Sequence, residues 1–257
     1  MGVRNPATLS DHYEFQNMVK KGRAFTKFLS SCPLTSKEAW ISYTMYFVPS
    51  YTYSAVTLSL SIKEINNIHC TFMPLLLNKL GFQASFPRAV AFVPRHVGGI
   101  GITPLNVIIV QRKIRFLYCH LRHSKDLGKA IMINLQWAMV QAGRQNPLFT
   151  TDDRIDYIEN NWVVHLHKEL SRMTGRLAID GLHSSSYRRI NDKFLMDEWD
   201  KEGLSINLLR HLNICRMYLR VSTLSDITTN NGLYIQDRYL GGLCQNPYIT
   251  HDWPRQP

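Results

Sequence analysis

The chain has no aspartate or glutamate between Ile65 and Lys125, a stretch of 61 residues. Basic side chains that no acid offsets create a field that attracts polyanions, and nucleic acid is a large polyanion. Aromatic and aliphatic residues are mixed with these cations, which indicates a basic part of a folded region and not a solvated tail. The lysines and arginines of the stretch are Lys79, Arg88, Arg95, Arg112, Lys113, Arg115, Arg122 and Lys125.

Paired cysteines and long apolar runs are also missing. The five cysteines are scattered, odd in number and never spaced C-x-x-C, which excludes a disulfide scaffold and is typical of reduced thiols in an intracellular protein. The pattern does not distinguish nucleus from cytoplasm. No apolar run approaches the roughly 18–20 residues of a membrane span, and the first residues lack the apolar core of a secretory signal. The sequence therefore predicts no membrane partner.

The positive charge is concentrated in the first three fifths of the chain. Residues 1–151 contain 17 basic and 5 acidic side chains, a balance of +12, whereas residues 152–257 contain 13 and 14, a balance of −1, and the two sum to the total of +11. This change predicts a basic helical region over residues 1–150 and a second helical region over residues 151–242. We expect residues 243–257, which contain three prolines, to form a loosely held tail.

Helical spacing dominates the sequence and predicts a mainly α fold, with one or more helical bundles. A helix is expected from about Ser36 to Phe47, ending before Pro49, and a kink or break is expected at Pro74. Asp152 or Asp153 is expected to cap a later helix. Two pairs have the capping-box spacing, Thr35 with Glu38 and Ser61 with Glu64.

Residues 88–103 differ in style. The run from Ala89 to Val93 is prone to β-structure, and Ile100 and Ile102 follow after a glycine-rich bend, so we expect a short β-hairpin or an irregular loop. Gly98 and Gly99 in the bend have two compatible interpretations. They form a tight turn, or their backbone N–H groups approach a phosphate.

The next helix, predicted over residues 107–123, carries the densest positive charge. Arg112, Arg115 and Arg122 fall on one face, with Lys113 beside them. Such a face would contact phosphates without reading sequence. We expect the apolar stripe of this helix to comprise Val107, Val110, Ile114, Leu117 and Leu121.

Signatures of catalysis are scarce. Phosphate-binding P-loop, serine-hydrolase and zinc-protease motifs are missing. His165 and His167, spaced i and i+2, make a poor metal pair. The acids around Asp197 are best interpreted as a solvated face, with a metal-dependent nuclease as the alternative. The sequence thus predicts no catalytic residue, no cofactor, no metal ligand and no small-molecule substrate.

Several consecutive segments carry a resemblance to one family through their order and spacing. The most specific part is P-R-A-V at 87–90 followed by V-G-G-I-G-I at 97–102. The other segments are AWISY (39–43), PSYTY (49–53), LGF (80–82), PL (104–105), HLR (120–122), NICRMYL (213–219) and LSDI (224–227). Together they resemble the region downstream of the palm in the reverse transcriptases of LINE-type (non-LTR) retrotransposons, and the similarity covers about residues 10–242.

The resemblance implies a thumb-like region over residues 1–150 that grips the backbone of a DNA or RNA–DNA duplex. It implies no polymerase activity for this chain, since the aromatic-x-Asp-Asp motif of a palm is missing and two residues, not one, separate Phe149 from Asp152. The chain would then be a non-catalytic fragment of an RNA-directed DNA polymerase encoded by a transposable element. We expect the nucleic-acid-binding residues to be Arg88, Arg95, Gly98, Gly99, Arg112, Lys113, Arg115, Arg122 and Lys125.

Two further hypotheses fit the same sequence. The chain is a helical protein-interaction domain with an acidic partner, or it is the product of a truncated pseudogene with no function of its own. In the second case, apolar surface that a palm would cover is expected to be exposed.

Overall fold

The computed structural model describes residues 12–123, 126–182, 189, 192–229, 231 and 233–234. These residues are mainly α-helical, as the sequence predicts, and contain no sheet. The β-contacts among them are isolated bridges, between Phe194 and Thr223 and between Thr228 and Tyr234. The chain divides into two compact units, residues 1–119 and 120–257. The sequence-based boundary near residue 150 rests on charge and stays a prediction.

The first unit is built around two long helices. Helix α1 (His12–Ser31) packs along α4 (Ile62–Lys79), helped by Gly22, at which a Cβ would lie 2.4 Å from the hydroxyl oxygen of Thr71. Thr26 donates a hydrogen bond of 2.7 Å from its hydroxyl to the carbonyl of Thr71. The two helices therefore approach closely enough for polar contacts between side chain and backbone.

A continuous helical segment joins these two helices. It comprises α2 (Ser36–Ile41), a π-helical stretch (Ser42–Phe47) and α3 (Val48–Ala55). The predicted end before Pro49 is wrong, because this proline lies in the first turn of α3, where its missing N–H is tolerated. The aromatic core of the unit includes Phe25, Tyr43, Phe47, Tyr51 and Phe72.

Both predicted capping boxes are present, at the starts of α2 and α4. The expected kink or break at Pro74 does not end the helix, since α4 runs on to Lys79. Five further residues of α4 follow this proline, and two of them, Leu76 and Leu77, are fully buried. Burial of their apolar side chains offsets the backbone hydrogen bond that proline cannot make.

The β-structure predicted within residues 88–103 is not present in the structure. Residues 88–92 form a short helix, α5 (Arg88–Phe92), followed by a 3-10 turn (Arg95–Val97). Pro87 precedes α5 and accepts the first helical hydrogen bond from the N–H of Ala91, at 3.0 Å. No neighbouring strand is present in the described part of this unit, so β-propensity has nothing to pair with. The alternative of an irregular loop is confirmed for residues 98–104.

Helix α6 (Leu105–His123) follows this loop, and its last turn crosses the division between the units. The second unit contains α7 (Asp126–Ala142), α8 (Trp162–Arg172), α9 (Leu195–Lys201) and α10 (Ile206–Leu219). Helix α7 packs against α8 and α10, and α9 packs against α10. Gly143 ends α7 with a φ of 60°, as expected for a helix-terminating glycine.

The predicted cap at Asp152 or Asp153 is wrong. Helix α8 begins ten residues later, where the side chain of Asn161 accepts a hydrogen bond of 2.9 Å from the N–H of Val164. Asp153 instead accepts a hydrogen bond from the hydroxyl of Thr151. The predicted tail at 243–257 lies outside the described residues. None of the described helices is long and apolar enough to cross a membrane.

Candidate nucleic-acid interface

Three arginines lie on the exposed face of α6. Arg112, Arg115 and Arg122 are all exposed, and at about 100° per residue they fall within roughly a quarter of the helix circumference. Within the described part of the chain none of the three has an ion-pair partner. Arg122 belongs to the second unit by the division at 119/120, but all three lie on one continuous helix. We call these three residues the basic face.

Lys113 is not part of the basic face, which contradicts the prediction. It is 0% exposed and lies among the buried residues of α6, between Ile109 and Leu117. One residue along a helix turns the side chain by about 100°, so the neighbour of an exposed Arg112 points to a different side. Its ammonium group is therefore not available to a phosphate.

The described acids of the first unit lie on other helices, where each has a structural position. Glu38 and Glu64 are held in the capping boxes, where they accept backbone N–H groups at 2.8 and 2.7 Å. The hydrogen bonds from Thr35 lower the pKa of Glu38 below its usual value. Glu14 is buried on α1. The described acids of this unit thus serve helix ends and the interior, and none of them lies on α6.

The glycine-rich loop does not offer its amides to an anion. The N–H groups of Gly98, Gly99 and Gly101 donate to backbone carbonyls of residues 95, 94 and 93 at 3.0, 3.2 and 2.9 Å. Gly99 is required because a Cβ there would meet the carbonyl oxygen of Val93 at 2.0 Å. The tight-turn interpretation of this loop is confirmed, and the predicted phosphate contacts of Gly98 and Gly99 are contradicted, because these donors are occupied.

Arg95 holds the same loop in place. Its Nε donates to the carbonyl of Ile100 at 3.0 Å, and its guanidinium carbon lies 4.4 Å from the centroid of the Trp40 ring. A cation over an indole ring at this distance is an attractive contact. Arg95 remains exposed. Arg95 thus joins the loop to the helical segment that begins at Ser36.

Arg88 is half-buried at the start of α5. One of its terminal nitrogens is buried and has no hydrogen-bond partner. Nearby, His69 stacks on Phe92 with ring centroids 5.8 Å apart. Burial, with the charge of Arg88 as a second cause, lowers the pKa of His69 to about 4. The structure therefore places Arg88 beside a neutral histidine, on α5 and not on α6, which carries the basic face. Lys125 lies outside the described residues.

A second row of cations was missed by the sequence analysis. Lys20, Arg23 and Lys27 are exposed on α1 at the spacing i, i+3 and i+7, which brings them to one side of the helix. That spacing was available in the sequence. The acid-free stretch begins at Ile65, and α1 lies before it, so the absence of acids does not point to α1.

The segment from α2 to α3 exposes an apolar strip. Ile41, Met45, Tyr46 and Tyr53 are 47, 77, 71 and 67% exposed, and Pro49 between them is also exposed. The strip, defined as these five residues, extends over twelve residue steps, or about 18 Å of helix. Contiguous apolar surface of this kind marks an interaction surface more often than isolated exposed side chains do.

The acids around Asp197 in the second unit are paired. Arg144, almost fully buried, contacts Asp197 at 3.2 Å and Asp200 at 2.7 Å. Glu198 contacts Lys201 at 2.7 Å and Lys193 at 3.0 Å, and these two lysines lower its pKa. The interpretation as a solvated acidic face therefore holds for Glu198 and for Glu202, which is exposed. Asp197 and Asp200 hold a buried arginine.

Potential metal ligands are also dispersed. His165 contacts the carboxylate of Glu169 at 3.4 Å, while the ring of His167 lies 2.9 Å from the carbonyl of Asp153. No group of three histidine, cysteine, aspartate or glutamate side chains in the described residues is placed to hold a metal ion. The acids near Asp197 contact Arg144 and lysine side chains, and the nuclease alternative stays a prediction.

Arg216 is a structural residue of α10 and not an exposed cation. It is 2% exposed, and its guanidinium donates to the carbonyls of Val140 and Gln141 at 2.7 and 3.0 Å. Those carbonyls belong to the last turn of α7, where a positive charge is favourable. Gly143 lies against the same guanidinium, and a Cβ there would be 2.4 Å from its central carbon.

Comparison with protein-family models, with curated proteins and with solved structures finds no match to this chain. The candidate interface therefore rests on its own geometry and on the sequence resemblance described above.

Proposed function

We propose that this protein binds the phosphate backbone of nucleic acid, without catalysis, and that the basic face of α6 is the contact surface. One observation carries the proposal: three exposed arginines share one helix face with no ion-pair partner in the described residues. Guanidinium groups contact phosphate with two donors at once, which suits them to this task.

The charge pattern supports the same proposal. The described acids of the first unit hold helix ends or are buried, so incoming phosphates meet no repulsive carboxylate on α6. The exposed row of Lys20, Arg23 and Lys27 adds positive field in the same unit. The resemblance to the thumb region of a LINE-type reverse transcriptase supports a backbone contact as well, and names a DNA or RNA–DNA duplex as the partner.

The salt dependence of binding tests the proposal. Fluorescence anisotropy would follow a labelled 20-base-pair duplex between 50 and 200 mM salt, a range of roughly fourfold chosen because counterion release is measurable there. A variant with Arg112→Gln, Arg115→Gln and Arg122→Gln is expected to lower the slope of log K against log salt by about 2.7, that is, about 0.9 per phosphate contact.

A matched control removes the same charge elsewhere. Arg172, Arg176 and Arg220 are exposed in the second unit, and their joint replacement by Gln should leave the slope nearly unchanged. Equal loss of slope in both triple variants would show that only net charge matters. If neither a duplex nor a single strand binds at about 50 mM salt, the low end of the series, the proposal is wrong.

A second candidate function follows from the apolar strip. The strip fits an amphipathic helix of another protein, and the surplus of cations in the first unit favours one with acidic flanks. Titration calorimetry with a designed helical peptide carrying leucines on one face and glutamates beside them is the test. Binding should be lost with Met45→Lys and kept with Arg115→Gln, and a scrambled peptide should not bind. Equal heats from both peptides would contradict this function.

A further inference from the structure

An exposed aromatic side chain lies within the basic face of α6. Tyr118 is 44% exposed, three residues after Arg115 and four residues before Arg122. Residues at these spacings are neighbours on a helix surface, with Cβ atoms about 5–6 Å apart. The order along the face is therefore arginine, tyrosine, arginine.

Phosphates alone do not call for an aromatic residue at this position. A tyrosine ring offers a flat π surface, which gains free energy by stacking on a base. In a duplex the bases are stacked on each other, and a helix lying on the backbone reaches phosphates and sugars. An unpaired base can leave the stack and rest on an exposed ring.

We propose that the basic face binds single-stranded nucleic acid, with Tyr118 stacking on an unpaired base while Arg115 and Arg122 contact the phosphates on either side. This inference rests on the proposed function and names its substrate. Arg115 and Arg122 are seven residues apart, about 10 Å along the helix axis, which leaves room for a nucleotide between them. It departs from the duplex that the sequence resemblance implies.

The first test compares Tyr118→Ala with Tyr118→Phe on two probes. A labelled thymidine 20-mer should bind Tyr118→Ala about 5- to 150-fold more weakly than the parent protein, the range for one stacked base, while a duplex of the same length changes by less than about twofold. Tyr118→Phe keeps the ring and should bind as the parent does. Tyr53→Ala, at another exposed tyrosine, is the matched control and should bind the 20-mer unchanged.

Salt and a base-free polyanion separate stacking from charge. The salt slope for the 20-mer should be the same in Tyr118→Ala and in the parent protein, because no phosphate contact is removed. Inorganic polyphosphate, which has no bases, should bind both proteins equally. An equal loss by Tyr118→Ala on the 20-mer, the duplex and polyphosphate would overturn the stacking role.

A second measurement uses the parent protein and does not depend on a variant that folds. Trypsin cuts after Arg115 and Arg122, so Tyr118 falls in the single peptide 116–122. Photocrosslinking to a bromodeoxyuridine 20-mer should attach the base to this peptide at Tyr118. A crosslink that maps only to other peptides would overturn the inference.

The two proposals fail in different ways. If Tyr118→Ala binds the 20-mer like the parent protein, while the triple arginine variant binds both probes more weakly, the single-strand inference is wrong and the proposed function stands. If the triple arginine variant binds both probes like the parent protein, the proposed function itself is wrong.

Discussion

Arg112 and Lys113 are adjacent and equally charged, but we expect their replacement to have different effects on stability and on binding. Arg112 is exposed on the basic face, whereas Lys113 is 0% exposed. Replacement of each by glutamate changes the net charge by the same amount at neighbouring positions. Any difference between Arg112→Glu and Lys113→Glu therefore reports the side of the helix and not the overall charge.

The expected loss of stability follows from burial. An exposed substitution usually changes the free energy of unfolding by no more than about 0.5 kcal/mol, so Arg112→Glu should shift the melting temperature by about 1–2 °C. Loss of one partner of a buried charge costs about 3–5 kcal/mol, so Lys113→Glu should lower the melting temperature by about 6–20 °C in a chain of this length.

The expected loss of binding follows from counterion release. One phosphate contact contributes a slope of about 0.7 for a single strand and 0.9 for a duplex. At about 0.15 M salt this corresponds to a four- to sixfold loss of affinity for Arg112→Glu, and repulsion of phosphate by the new carboxylate adds to it. Lys113→Glu, measured below its melting temperature, should bind as the parent protein does.

Circular dichroism melts and fluorescence anisotropy measure the two quantities on the same samples. Equal melting temperatures for the two variants would refute the burial of Lys113. Parent-like affinity of Arg112→Glu, with Arg115→Glu as the positive control, would refute the place of Arg112 in the interface.

The remaining predictions concern a glycine and a histidine. Gly143→Ala should lower the free energy of unfolding by about 1–3 kcal/mol more than Gly203→Ala. Both glycines have a positive φ, but only at Gly143 would the added Cβ clash with a neighbour, Arg216. Urea titrations measure the difference, and equal losses would contradict it. The pKa of His69 is lowered to about 4 by burial and by the charge of Arg88. The unfolded chain therefore takes up this proton first, so stability is full above about pH 7 and declines as the pH falls from about 6.5 to 4. NMR titration of the ring checks the pKa, and His69→Gln should lose this part of the pH dependence; an ordinary pKa would disprove it.

Local signals in the sequence predicted the starts of two helices correctly. The pairs Thr35 with Glu38 and Ser61 with Glu64 form capping boxes, because their hydrogen bonds reach only three residues along the chain. Gly143 ends α7 for an equally local reason, a backbone conformation that glycine adopts without strain. Features of this range need no knowledge of the rest of the fold.

Other expectations failed where the outcome depends on distant residues. Most of the β-prone run, from Ala89 to Phe92, is helical because no strand lies beside it in the described part of the first unit. Asp152 and Asp153 resemble a helix cap, yet the chain continues to Asn161 before α8 starts. In each case the local preference was a few tenths of a kcal/mol to about 1 kcal/mol, which tertiary packing overrides.

The acid-free stretch was the most informative feature of the sequence. In the structure some of its cations are exposed and others are buried. Apolar residues occupy more than half of the circumference of α6, so periodicity could not choose the buried side. The predicted stripe is buried at Val110 and Leu117 but only half-buried at Val107, Ile114 and Leu121. The buried side of the helix is rotated away from it, towards Ile109 and Lys113.

Composition and local spacing were enough to predict the helical class, the sign of the charge and the helix that carries most of it. Which cations remain at the surface was not predictable in this way. Lys113 and Arg216 are buried, Arg95 holds a loop, and Arg112 with Arg115 remains exposed. The physical reason is that burial depends on which elements pack around a side chain, and those contacts join residues far apart in the sequence.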